Sequence, residues 1–292
     1  MTTIDLEPAV TIAPQPAGPR RPRVTTALLY LPAMVVLVPV FLLPTLFLLS
    51  QSFAAAPAGL SHYQELFGSQ LFWSVLGRSF VIAGIVTALS LVLGLPYAAV
   101  ANSAGPRLQT LLYGAVVASL FFSVIVRAYA WLALLGDNGP VHSAIAALGI
   151  PTDKIALVNS PTGVVIGMVQ YGVPYMVLAI ADVMRRIDAS YDRAAATLGA
   201  GPARRWLQIK LPMLMPGITA GCTIVFVTTL GYFIIPTVLG SPKELMIGGL
   251  ISGQVGTTMN WGLGAAMATV LLVVTMTLVL AMQMLGRRLG RQ

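Results

Sequence analysis

Charge is what this sequence has least of. Only 9% of its 292 residues are Asp, Glu, Lys or Arg, where a soluble domain carries about 25%. That excludes a disordered segment, a coiled coil and an ordinary soluble enzyme. Cysteine is nearly absent: the one residue, Cys222, can form neither an internal disulfide nor a thiolate metal site. The two histidines, His62 and His142, are far apart in sequence and no H-E-x-x-H pair occurs, so the usual zinc ligand sets are missing and no metal is expected. No G-x-x-x-x-G-K-[ST] run is present, so ATP has no phosphate-cradling loop here. With no Ser/His/Asp set to argue for either, the chain is expected to do no covalent chemistry.

What it has instead is apolar length. Hydrophobic residues make up 57%, and mean hydropathy is +0.85. Six long apolar segments are predicted to be spans, over residues 27–50, 79–100, 108–135, 163–184, 213–239 and 262–285. They are continuous runs, not ten-residue alternating strands, which excludes a β-barrel. Helices are then the way to satisfy the backbone in lipid. The expectation is an all-α membrane protein. Residues 1–26 form a Pro-rich polar tail, 27–286 a six-span domain and 287–292 a short basic tail. The apolar run after the first tail is too long for a cleaved signal peptide.

Basic residues orient the chain. With the N-terminus inside, inner segments hold Arg20, Arg21, Arg23, Arg107, Arg185, Arg186, Arg193, Arg204, Arg205, Lys210, Arg287, Arg288 and Arg291. The outer loops and span ends hold only Arg78, Arg127, Lys154 and Lys243. That asymmetry predicts both termini in the cytoplasm. It also accounts for the net charge of +8 without any nucleic-acid partner; lipid is the expected surround.

The longest inner segment between spans, residues 185–212, has internal order. Ser190 is expected to cap a short helix over 191–198, favoured by Ala194-Ala195-Ala196. Gly199 sits where a helix stops on a left-handed residue. Pro202 after Gly201 starts a second short helix, Leu211-Pro212 ends the loop, and Pro216-Gly217 opens span five. A plain connector needs only a few residues. The residues alone leave two readings open: a basic helix lying on lipid, or a docking element for a soluble partner, with small alanines permitting close approach.

Asp192-Arg193-Ala194-Ala195-Ala196-Thr197-Leu198-Gly199-Ala200, with Ile209, Leu211, Pro212 and Pro216-Gly217 following, resembles the EAA loop of the membrane subunits of binding-protein-dependent ABC importers. Arg193 stands where that pattern has Glu, a reversal of charge. Val126-Arg127-Ala128-Tyr129-Ala130-Trp131, Leu134-Leu135-Gly136-Asp137-Asn138-Gly139, and Leu239-Gly240-Ser241-Pro242-Lys243 with Met246-Ile247-Gly248 are similar to the spermidine/putrescine-type branch. The resemblance spans about residues 27–286. It implies the type I importer permease fold with a cytoplasmic coupling helix in a bacterial inner membrane. It implies further partners: two ATPase subunits, a second permease subunit, often a different chain, and a soluble solute-binding protein outside. ATP and Mg²⁺ would lie on the ATPases, and no cofactor on this chain. Asp192, Arg193, Ala194, Ala195, Leu198, Gly199, Ala200, Leu211 and Pro212 are the expected coupling residues.

A polyamine path should offer aromatic faces and carboxylates. Candidates are Tyr129 and Trp131, Tyr171 and Tyr175, Tyr232, and Asp137 outside. Aromatics near span ends also serve as interfacial anchors, so both roles stand open for each. Tyr171 and Tyr175 lead, being mid-span and four residues apart on one face, with Gly172 and Pro174 expected to loosen the helix between them. Arg127 would repel a cationic solute and is left to a partner contact or to snorkelling outward. Asp182 is expected to pair locally with Arg185 and Arg186. Gly163/Gly167 and Gly217/Gly221 are G-x-x-x-G patterns that serve helix contacts within or between subunits. The rival class, a self-sufficient secondary carrier, lacks support. No clear repeat is visible and the middles of the spans are nearly free of charge.

Overall fold

A computed structural model describes residues 23–55, 59–149, 151 and 156–289. The tail as far as residue 22, Asp153, Lys154 and Arg291 lie outside the described residues.

The described chain is helical. Helices α1 (Arg23–Ala54), α2 (Ser61–Gly68), α3 (Gln70–Ser103), α4 (Pro106–Phe121), α5 (Val124–Leu135) and α6 (Pro140–Ala147) come first. They are followed by α7 (Pro161–Met184), α8 (Ala189–Thr197), α9 (Pro202–Arg205), a π-helical turn (Trp206–Lys210) and α10 (Leu211–Leu230). Then come α11 (Ile234–Leu239), a 3₁₀ turn (Pro242–Glu244), α12 (Ile247–Gly256) and α13 (Trp261–Leu289). Five helices are long and apolar enough to cross a membrane, or six if the bent pair Pro106–Phe121 and Val124–Ala147 counts as one span.

The chain divides into two compact units, one ending at Phe47 and one beginning at Leu48. In the first, every side chain from Met34 to Phe47 is exposed. Such an apolar helix has lipid or another chain as its natural cover.

The second unit is built on α3, α7 and α10. Val86, Ala98 and Ala101 of α3 meet Met176, Val177 and Ile180 of α7 and Leu214 and Val225 of α10 in one buried cluster. Glycine lets these backbones close up. A Cβ on Gly221 would meet the Met176 Sδ at 2.6 Å, one on Gly217 the Ala179 carbonyl at 2.9 Å, and one on Gly167 the Leu239 side chain at 2.8 Å. Both G-x-x-x-G patterns therefore pack within this subunit. Gly172 belongs to the same device, with Ser90 and Val225 beside it. α7 runs unbroken through Gly172 and Pro174, so the expected loosening between the two tyrosines is replaced by tight packing. A second cluster joins Leu66 of α2 and Phe72 and Val75 of α3 to Ile247 of α12 and Leu263 of α13.

Three predicted segments have different shapes. Span three is broken, with a 103° bend between α4 and the apolar stretch after it. Span five starts earlier and stops sooner than 213–239: one helical run covers Pro202–Leu230, and Gly231 separates it from α11. The second short helix of the inner loop is thus the first turn of a span. Pro212 does not end it, because the π turn widens the hydrogen-bond register just before that proline: the Leu211 N–H reaches back to the Trp206 carbonyl. Pro216 lies inside α10 and does not open it.

Candidate functional site

Residues 185–212 form a closed turn-and-helix unit. Asp188, extended at φ −68° and ψ 130°, caps α8 by accepting the Ser190 N–H at 2.8 Å. The cap is therefore Asp188 and not Ser190, because only the residue outside the helix has its side chain free to turn back on the first N–H groups. Those bonds from Ser190, helped by the Arg193 charge, hold the Asp188 carboxyl below the usual carboxylate range. At the other end Gly199 stands at φ +80°. The Gly199 N–H bonds to the Ala196 carbonyl and the Ala200 N–H to the Ala195 carbonyl, both at 3.0 Å. This paired closure needs a left-handed residue at position 199.

Asp192 faces inward. Its carboxylate lies 3.1 Å from Arg205 Nη1 and 3.5 Å from Lys210 Nζ, at the two edges of the π turn. Ala195 is buried beside it. The opposite face of α8 is open: Tyr191, Arg193 and Ala194 are exposed, and Leu198 is 86% exposed. Ala200 and Leu211 are half-buried and Pro212 is exposed. On the Asp192 side α8 borders a cavity of about 430 Å³ lined in part by Asn102, Ser103, Tyr191, Asp192, Trp206 and Lys210. Just before the loop, Arg186 pairs with Asp182 at 3.0 Å in an exposed bridge. Arg185 does not join them; its guanidinium lies 4.4 Å from the Tyr113 ring centre.

The aromatic candidates separate into two groups. Tyr171 and Tyr175 of α7 bring their hydroxyls to 3.2 Å. Tyr232, on the Gly231 break, lies with its ring centre 4.5 Å from that of Tyr171. Tyr129, Trp131 and Asp137 do not join them. Tyr129 and Asp137 are exposed. Trp131 approaches the Gln170 amide oxygen at 3.5 Å and lines an apolar cleft of about 620 Å³ with Val165, Val169 and Val173.

Of the two roles open to Arg127, the structure excludes one. The side chain does not snorkel: it is 7% exposed, its guanidinium 5.6 Å from the Tyr171 ring centre. It donates Nη2–H to the Ser119 carbonyl near the end of α4. An unbroken helix would give that carbonyl the N–H of residue 123, so Arg127 supplies the donor that the bend removes. Its Nη1 has no hydrogen-bond partner among the described residues, nor does the Tyr232 hydroxyl. No described carboxylate lies within ion-pair distance of Arg127. The signal for this was present, an arginine inside an apolar run, which marks function by default.

The 239–248 segment is a structural knot. Ser241 and Glu244 form a reciprocal capping box, with the Ser241 N–H donated to Glu244 Oε2 at 2.8 Å and Glu244 buried. The Ile247 N–H is donated to Ser79 Oγ of α3 at 2.8 Å.

The described residues thus combine five or six helices long and apolar enough to cross a membrane with a short capped helix between two of them. Residues 90–291 match the family of binding-protein-dependent transport system inner membrane components, and the chain belongs to that family: it is a multi-pass, non-catalytic permease subunit of an ABC importer. It is 29% identical over 259 residues to the spermidine/putrescine transport system permease protein PotB of Haemophilus influenzae, covering 86% of this chain and 90% of that one. Its fold matches a chain of a bacterial alginate ABC transporter, solved in complex with an alginate pentasaccharide-bound periplasmic protein, with a TM-score of 0.71 at 17% identity, covering 92% and 96%. It also matches a chain of the MetNI methionine ABC transporter, with a TM-score of 0.53 at 19% identity, covering 76% and 98%.

Proposed function

We propose that this chain pairs with a second permease subunit, sits on two ATPase subunits through α8, and passes a polyamine such as spermidine or putrescine from a soluble binding protein into the cytoplasm. The observation that carries the coupling role is the open face of α8. Tyr191, Ala194 and Leu198 are exposed on a helix fastened behind by Asp192 and stopped by Gly199. An exposed apolar face on a short polar loop fits a protein groove. Arg193, Ala195, Ala200, Leu211 and Pro212 complete that loop, with ATP and Mg²⁺ on the ATPases. Both termini are cytoplasmic in this reading, with the permease domain over 27–286. The polyamine rests on kinship with PotB, and Tyr171, Tyr175 and Tyr232 would line its path.

One observation favours a second reading of the solute. Arg127, buried against Tyr171 with Nη1 unpartnered among the described residues, disfavours a bare multivalent cation and suits a solute that carries an anionic group beside its amine. An amino-acid derivative, an opine or an organophosphonate has that chemistry. The test is to tag the chain, extract it in mild detergent, identify what co-purifies, and measure ATP-dependent spermidine uptake by the reconstituted complex. An ATPase, a second permease and spermidine uptake support the first reading. The same complex with uptake only of acidic amines selects the second. A chain that comes out alone and transports without ATP overturns both.

A further inference from the structure

The coupling role proposed above leaves open how a push on α8 reaches a span. α8 is held asymmetrically. On one side, Asp192 makes a two-pronged ion pair with Arg205, before the π turn, and Lys210, at its end. Arg205 Nη1 also lies 3.5 Å from the Asp192 carbonyl, so backbone and side chain are gripped together. The fork borders the cavity toward Asn102 and Ser103 of α3, with Asp192 and Lys210 both in its lining, while the far face of α8 is exposed. An element tied at one fork, with empty space beside the tie and an exposed far face, can turn about that fork. The tie falls on the one stretch of the α9–α10 run whose hydrogen bonds are in the wider register. Such a turn often marks a functional position.

We propose that Asp192 is the positioning residue that makes α8 and the base of α10 a single lever: α8 swings into the cavity about the Asp192 fork, and the π turn carries the displacement into α10. A neutral, isosteric Asn keeps the helix but loses the charge on both prongs. The ion pairs are half-exposed, so folding should survive the change.

The inference rests on the coupling reading, and the test separates the two. The chain's single cysteine, Cys222, lies half-buried on α10 and serves as reporter. Its maleimide modification is followed by mass spectrometry in the complex purified with its ATPase, without nucleotide and after vanadate trapping of ATP. The wild type should show a rate difference of about fivefold between the two states. Asp192→Asn should abolish that difference, and Asp192→Glu should restore it. If Asp192→Asn fails to assemble, Arg205→Gln with Lys210→Gln removes the fork from the other side and should give the same result. An unchanged difference in Asp192→Asn or in that double variant overturns the lever, as does a wild type in which Cys222 does not respond to nucleotide. A wild-type chain that binds no ATPase overturns the coupling reading instead.

Discussion

The 185–212 loop and the tyrosine cluster on α7 are built on opposite plans. In the loop the charges find partners of opposite sign close by, with Arg205 Nε the one buried polar atom left without a partner among the described residues: Asp188 caps α8, Asp192 binds Arg205 and Lys210, and Gly199 closes the helix end. What remains outward is a small apolar face. In the cluster two polar groups stay open beside the bonded Tyr171–Tyr175 pair. Arg127 Nη1 and the Tyr232 hydroxyl have no partner among the described residues, at a depth where an unpaired group is costly. A helix whose acidic anchor is paired behind it, with a small apolar face outward, suits a fixed protein partner. A site that has not finished its hydrogen bonding suits something that comes and goes.

Substitutions can break this contrast, from the largest effect to the smallest. Gly221→Leu drives a side chain into Met176 and the α7 backbone and should destabilise the helical core by on the order of 1–3 kcal/mol. The readout is a lowered thermal midpoint in detergent, common to both regions because both hang on α7 and α10. Gly199→Ile forces a β-branched residue to φ +80°, a local cost of roughly 1–2 kcal/mol. The complex should still reach the membrane and hydrolyse ATP, but uptake per ATP should fall. Wild-type uptake in that variant would remove the loop from coupling. Arg127→Met deletes the buried cation, and repulsion on the order of 1–2 kcal/mol at this range should vanish with it. Uptake of spermidine relative to an acidic amine should then rise by about tenfold; an unchanged ratio would make Arg127 only a staple of the bend at Ser119.

The smallest effect concerns pH. Asp188 has its carboxyl held below the ordinary range in the folded loop, chiefly by the Ser190 N–H. Its contribution is present above the ordinary carboxylate pKa and is lost as pH falls through the lowered folded value. Asp188→Asn keeps a capping oxygen without the titration. ATPase association measured down to acid pH should weaken less in Asp188→Asn than in the wild type.

How much of this was legible in the sequence follows from range. The loop was readable because its determinants are local. Alanines, Gly199 and Pro202 speak for their own backbone, and the left-handed turn at 199 lies where the pattern put it. The misplaced cap is an error of two residues, and the continuous run from Pro202 to Leu230 depends on the π turn, which hydropathy does not carry. The pairing of Tyr171 with Tyr175 was also local, four residues on one face. The arrival of Tyr232 and Arg127 beside them was not. It depends on a 103° bend at Phe122-Ser123, where neither proline nor glycine gives warning, and on the break at Gly231. Small residues told where helices approach, but only packing assigned both G-x-x-x-G pairs to the subunit's own interior.

The central claim is that the open face of α8 meets an ATPase. A photo-activatable amino acid in place of Leu198, the most exposed apolar side chain of that face, tests it in intact membranes. The account predicts one dominant protein adduct, to a chain carrying a phosphate-binding loop, which is lost when that chain is deleted. Adducts to lipid alone, with the ATPase present and hydrolysing, would contradict it.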